Sequence, residues 1–100
     1  MMTKTEIFAR KAEVLRKMMR YIDYFEKLCA ATPSEENCYR KAGIRIAYEK
    51  VRLSEEDPVM IIELLMANLD DSISRNHNRY YLSIAKDAIQ EMYDHIFLTW

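Results

Sequence analysis

At 100 residues and 12.0 kDa the chain is one domain long, residues 1–100, and is expected to hold a single core. Half of its residues are apolar, 31% are charged, and there are only one Gly and two Pro, which excludes a disordered tail, a collagen-like repeat and a Gly/Ser linker. The formal charge of −1 hides a division: residues 1–53 carry twelve Lys/Arg against seven Asp/Glu, a balance of +5, whereas residues 54–100 carry three against nine, a balance of −6.

The opening Met1-Met2-Thr3-Lys4-Thr5-Glu6 has no apolar core of a signal peptide. The apolar run 59–62 is four residues, far short of the roughly 20 that cross a membrane. The expectation is a cytoplasmic protein with no membrane partner. Thr3 followed by Glu6 is a capping-box pattern. Beyond it Phe8, Leu15, Ile22 and Cys29 recur every seven residues, Met18 and Phe25 take the intervening slot, and Lys11 breaks it once. Val14, Met19 and Leu28 widen this stripe into the face that a bundle helix buries. Glu6 with Arg10, Glu13 with Lys17 and Asp23 with Lys27 place acid before base four apart, each pair worth about 0.2–0.5 kcal/mol. With no Gly or Pro from 5 to 31, the spacing predicts one long first helix.

Thr32-Pro33-Ser34-Glu35 reads as a hydroxyl cap, Pro at the first helical position and an acid three beyond the cap, so a second helix is expected from 33 to about 53. It has two apolar faces. Tyr39, Ala42, Ile46 and Leu53 lie on one side; Ile44, Tyr48 and Val51 lie on the other. Such a helix is covered on both sides, centrally or at an interface. Gly43 and Ala47, four apart, permit close approach of another helix. The alternation over 44–48 also admits a short strand.

Asp57-Pro58 caps and opens a third helix. Only Glu63 and Asn68 are polar from 59 to 69, which predicts a helix in the middle of the core, ending near 71–75. Asn78 then caps a fourth helix with the stripe Leu82, Ala85, Ile89, Met92 and Ile96, joined by Tyr81, Ala88 and Tyr93. Large apolar groups at Phe97, Leu98 and Trp100 ask to be docked. Short connections favour a compact all-α, antiparallel bundle of four helices, or of three if the last two merge through 74–78.

Chemistry is sparse. One glycine excludes a phosphate-cradling loop, a dinucleotide fingerprint and a nucleophile elbow. Neither histidine, His77 or His95, has Glu three residues before it, so the di-metal bundle motif is missing. Glu91 and His95, four apart, form either an ordinary helix pair or half a metal site. The clusters Glu55-Glu56-Asp57 and Asp70-Asp71 lack a neighbouring base or nucleophile. Cys29 and Cys38 are too few for a disulfide framework or zinc site, and are expected as reduced thiols. The reading is therefore non-enzymatic, without cofactor or metal.

What remains is binding surface. Seven Tyr and seven Met are many for this length, and Tyr21, Tyr24 and Tyr80 do not all fit the buried stripes. Tyr beside Arg is the make-up of a protein-contact patch. Ile44, Tyr48 and Val51 offer a second patch, one that two copies would share in a homodimer. The preferred function is an interaction protein, a regulator, inhibitor or adaptor that occludes or bridges a protein partner and self-associates.

The alternative is a nucleic-acid-binding regulator, using the basic face of the first helix, Arg10, Arg16, Lys17 and Arg20 with Tyr24, or a segment farther on. The string Asp71-Ser72-Ile73-Ser74-Arg75-Asn76-His77-Asn78-Arg79-Tyr80-Tyr81-Leu82 resembles the turn and recognition helix of helix-turn-helix proteins. That resemblance covers a dozen residues and implies contact with DNA. It departs from the pattern at Ser72, where the turn carries Gly, and at Asn78, where the helix needs an apolar core contact.

Overall fold

The computed structural model describes residues 3–75 and 78–98. Four helices follow in chain order: α1 (Lys4–Ala31), α2 (Glu35–Leu53), α3 (Pro58–Ser74) and α4 (Arg79–Tyr93), the last running into a π-helical turn, Asp94–Leu98. They pack into a compact all-α bundle with no strand among the described residues, and residues 44–48 are helical. The third and fourth helices are separate elements. Thr99 and Trp100 lie outside the described residues, as do Asn76 and His77 of the expected turn.

Local chemistry sets the helix ends. The Thr3 hydroxyl accepts from the Glu6 N–H at 3.1 Å and donates to the Glu6 carboxylate at 3.2 Å, opening α1. The turn into α2 differs from expectation by two residues. Thr32 ends α1, its N–H donating to Leu28 O at 2.8 Å, and Ser34 is the cap of α2, accepting from Asn37 N–H at 3.1 Å. Pro33 therefore separates the helices instead of opening the second. Asn37, buried and fully bonded, ties this corner: its amide donates to Thr32 O at 3.0 Å and its carbonyl accepts from Arg40 at 2.9 Å. Asp57 and Pro58 open α3 as the sequence implies, the Asp57 carboxylate accepting from Val59 N–H. Asn78 opens α4 in the left-handed conformation, φ 46° and ψ 48°, a region that Asn tolerates better than most side chains, and its side chain makes no capping bond.

The topology is two antiparallel hairpins joined through one helix of each. In the first, Arg45 of α2 pairs with Glu26 of α1, and farther along α2 Lys11 donates to Ser54 O at 2.9 Å. In the second, Lys86 pairs with Asp70 at 2.7 Å and Tyr93 donates to Glu63 at 2.8 Å. The inner helices α2 and α4 run parallel, since Tyr80 reaches Glu36 at one level and Ala85 meets Gly43 at the next. The sequence places Gly43 where nothing larger fits: a Cβ there would stand 2.7 Å from Ala85 O and 2.9 Å from Ala85 Cα. This is the close approach that Gly43 and Ala47 imply.

Putting α2 against α4 decides which face of α2 is inside. Gly43, Ile44, Ala47 and Val51 are buried with Ala85, Ala88, Ile89 and Met92 of α4, Val14, Met18, Ile22 and Phe25 of α1, and Ile62, Leu65 and Met66 of α3. The expected homodimer patch is thus corrected: Ile44 and Val51 are core, and Tyr48 packs half-buried against it. Ile46 and Leu53, on the other face, are the exposed ones. The expectation for α3 is corrected as well. It lies on the flank of α4, with Met60 and Leu64 exposed, because the central place is taken by the pair of helices whose small residues allow contact. Phe8 is also outside, one turn before Lys11, which leaves the stripe to satisfy a carbonyl at the end of α2, where a cation is favoured. Ile96 is buried and Phe97 packs against the core, with Arg10 over its ring at 5.9 Å, so this part of the chain's end is docked.

Two substitutions test this assignment of faces. Ile44→Ala should cost about 2–5 kcal/mol in urea unfolding, and Leu53→Ala should lie within about 0.5 kcal/mol of the parent. Gly43→Ala, which in an exposed helix gains about 1 kcal/mol, should here lose about 1–3 kcal/mol, since the new methyl meets backbone that cannot swing aside.

Candidate functional site

An open groove of about 570 Å³ lies between the second half of α1 and the end of α4. Lys17, Arg20, Tyr21 and Tyr24 line it from α1; Glu91, His95 and Ile96 line it from α4 and the π-helical turn. Three features that stand apart in the sequence meet here: the basic face of α1, two of the unassigned tyrosines, and the Glu91 and His95 pair. The π-helical turn has a part in this, as such turns recur at functional sites. It buries Ile96 as a floor while its neighbour His95 is exposed.

Within the groove Tyr21 meets His95 edge-to-face, ring centroids 5.7 Å apart at 74°. Burial, reinforced by the Glu91 carboxylate, pushes the Tyr21 phenol above its ordinary range. Tyr24 is exposed and braced edge-on by the buried Phe25 ring at 5.2 Å. Of the four α1 bases expected to meet nucleic acid, Arg10, Arg16, Lys17 and Arg20, Arg10 pairs with Asp57 at 3.5 Å and Lys17 with Glu13 at 3.5 Å. Arg16 and Arg20 are exposed and make no ion pair among the described residues. Asp23 and Lys27, an expected pair, likewise form none among them. Glu91 and His95 share the groove without a third ligand: among the described residues no three His, Cys, Asp or Glu side chains gather as a metal site.

Tyr80 belongs elsewhere. It sits at the opposite end of α4, where Tyr39, Tyr80 and Tyr81 form an edge-to-face cluster with centroids 4.7–5.9 Å apart. Tyr80 donates to Glu36 at 3.1 Å and Tyr39 donates to Glu35. The cluster joins the first turns of α2 and α4, so Tyr80 is a clasp between helices as well as an exposed ring. The Glu35 bond, with burial behind it, pushes the Tyr39 phenol up to about 12. The sequence marks Tyr80 but not this role, which depends on α2 and α4 being parallel neighbours.

The helix-turn-helix-like segment is described at 71–75 and 78–82, where Arg75, Asn78, Arg79 and Tyr80 are exposed and Arg75 pairs with Asp71 at 3.3 Å. Farther on, α4 packs its inner face on α2 and α3, with Ala85, Ala88, Ile89 and Met92 buried. Its outer positions beyond Tyr80 include Asp87 and Glu91, which oppose phosphate. The two cysteines are free thiols on either side of the first corner, Cys29 part-buried and Cys38 exposed. Burial and the neighbouring Cys38 raise the Cys29 thiol. No helix among the described residues is long and apolar enough to cross a membrane.

Compared with protein-family models, curated proteins and solved structures, the chain matches none of them.

The Tyr39 clasp has a pH signature. Its folded-state pKa is raised above the ordinary value of 10.0, so the bond to Glu35 contributes fully below that value and is lost as pH rises through about 12. An ultraviolet phenolate titration of the folded protein should show a last step near 12, absent from Tyr39→Phe and moved down in Glu35→Ala.

Proposed function

We propose that this chain is a non-enzymatic interaction module that holds an acidic segment of a protein partner, bearing an aromatic or apolar side chain, in the groove of Lys17, Arg20, Tyr21, Tyr24 and His95. The observation that carries the reading is the pair of exposed arginines, Arg16 and Arg20, without ion pairs among the described residues, beside two tyrosines that wall an open groove. Arg and Tyr are the residues that most often anchor protein interfaces, because each offers a large apolar surface with a polar end. Ile96 at the groove floor suits an apolar side chain, and Glu91 confines the partner's carboxylates to the α1 side. A module of this kind regulates by occlusion or bridging, as an inhibitor or adaptor does. A cytoplasmic setting suits its two free thiols.

Self-association belongs to the same reading, through a surface other than Ile44 and Val51, which the fold buries. Nucleic acid is the weaker occupant. Arg16 and Arg20 would meet phosphate, but Glu13, Asp23 and Glu91 stand around them and would repel it.

The test is a selection of random peptides on the immobilised protein, with the recovered sequences resynthesised and titrated. Expected are peptides that combine Asp or Glu with an aromatic residue, whose affinity falls about tenfold in Arg20→Glu and in Tyr24→Ala. Peptides indifferent to both substitutions would overturn the groove as the site. So would tighter, salt-sensitive binding of mixed-sequence single-stranded DNA that Arg16→Ala and Arg20→Ala abolish, which is the result that nucleic-acid recognition requires.

A further inference from the structure

The outer faces of α2 and α3 are opposite in charge and alike in exposed apolar surface. From 40 to 53 the chain has five bases, Arg40, Lys41, Arg45, Lys50 and Arg52, against the single acid Glu49. From 54 to 74 it has six carboxylates and no base. On α2, Ile46 and Leu53 stand one heptad apart, 38% and 72% exposed, and with Arg45, Glu49 and Lys50 they line a shallow apolar groove of about 340 Å³. On α3, Met60 and Leu64, 42% and 52% exposed, form with Ala67 a ridge at helical spacing, flanked by Glu63 and Asp71. One helix thus carries an apolar hollow among bases and the other an apolar ridge among acids.

Internal pairing leaves this division largely in place. Glu13 with Lys17, Glu36 with Arg40, Glu26 with Arg45 and Glu49 with Arg52 pair within the basic half, and Asp71 with Arg75 and Asp70 with Lys86 within the acidic half. Arg10 with Asp57 joins the two. The halves therefore attract a second molecule as well as each other.

We infer that this chain self-associates by packing the α3 ridge of one copy, Met60 and Leu64, into the α2 hollow of another, Ile46 and Leu53. This rests on the self-associating part of the proposed function and leaves its groove free. Like faces do not serve: α2 against α2 sets bases on bases, and α3 against α3 sets acids on acids. The unlike pairing covers apolar surface on both sides and places Lys50, which lines the hollow, near the acids of α3.

Sedimentation of the full chain over a concentration series tests it, with Leu53→Glu and Leu64→Glu as variants. Both residues are exposed, so each variant should keep the parent's circular dichroism, and its melting curve at concentrations too low for the parent to associate. The parent should associate, less so as salt rises. Each variant alone should associate about tenfold more weakly, and a 1:1 mixture should recover a complex with one copy of each, because one brings an intact hollow and the other an intact ridge. A parent that stays monomeric, variants that associate like the parent, or a mixture no better than its components would each overturn the pairing. Ile46→Asp and Met60→Asp form a second pair with the same expected behaviour if either glutamate variant fails to fold. Peptide binding by the Leu53 and Leu64 variants, and association of Arg20→Glu, separate failure here from failure of the groove.

Discussion

Everything in this fold turns on the point where α4 passes over Gly43. With Ala85 O within 2.7 Å of where a Cβ would be, α2 and α4 meet almost backbone to backbone, and the small residues Ala47 and Ala88 are buried in the same core. Helices that meet so closely gain dispersion along their whole contact and leave no space for a third helix between them. In an up-and-down bundle α2 and α4 would stand on a diagonal; here they are the central pair, and α1 and α3 are fitted around them. The parallel direction of that pair brings the first turns of α2 and α4 to one end, where Glu35, Glu36, Tyr39, Tyr80 and Tyr81 clasp them together. The end of α4 is then free to pass α1, and the groove of Tyr21 and His95 is the result.

Helix existence and the helix breaks are written locally, which is why they could be read in advance. Thr3 and Glu6, Asp57 and Pro58, and the stripe of α4 each act within four residues of themselves, and the structure uses each in that way. The error at the first corner is local too. Thr32 and Ser34 are both competent caps beside Pro33, and the choice falls to Ser34 because Asn37 holds Thr32 O from within α2. The faces were harder. Ile44, Tyr48 and Val51 are as apolar as Tyr39, Ala42, Ile46 and Leu53, and only the partner helix decides between them. The deciding residue was visible: Gly43 lies beside Ile44, so a close approach at Gly43 carries Ile44 and Ala47 inward with it. The small-residue pair and the apolar faces of α2 are one feature, since Gly43 and Ala47 lie on the same side as Ile44. The composition of α3 misled for a related reason, since an apolar helix earns a central place only if its neighbours can come near, and Ile62, Leu65 and Met66 are bulky where Gly43 and Ala85 are not.

The groove shows the same limit for function. Lys17, Arg20, Tyr21, Tyr24, Glu91 and His95 were each distinctive in the sequence, under three unrelated headings, and about seventy positions separate the two sets. Their meeting depends on the register between α1 and the end of α4, which no residue on either helix specifies by itself. Arg10, lying over Phe97, ties the far end of α1 to the chain after α4, while its pair with Asp57 and the bond of Lys11 to Ser54 O tie α1 to the corner between α2 and α3. The sequence offers Arg10 as a partner of Glu6 or a nucleic-acid contact, and Lys11 only as a break in the stripe. Their structural engagement also alters the character of the basic face. With Arg10 drawn to Asp57 and Lys17 to Glu13, the exposed charge without an ion pair is narrowed to Arg16 and Arg20, next to Tyr24, which is a compact site more than a track for a polyanion.

The two flanking helices complete the argument, because they meet the same problem with different surfaces. Both α1 and α3 have one face on the central pair and one outside. The outer face of α1 is charged, with Glu13 and Lys17 paired and Arg16 and Arg20 exposed, as a solvated helix face is. The outer face of α3 is not. Between 59 and 69 its polar residues are Glu63 and Asn68, and Met60 and Leu64 stand beside Glu63 in the open. Nothing inside the chain needs them, since Ile62, Leu65 and Met66 already fill the core side and Tyr93 takes the Glu63 carboxylate. A small domain has little core to spare, and apolar side chains left outside a core that is already closed contribute nothing to folding while lowering solubility. In the self-association we infer, their cover is the hollow of α2, whose own Ile46 and Leu53 are left outside by the same contact at Gly43.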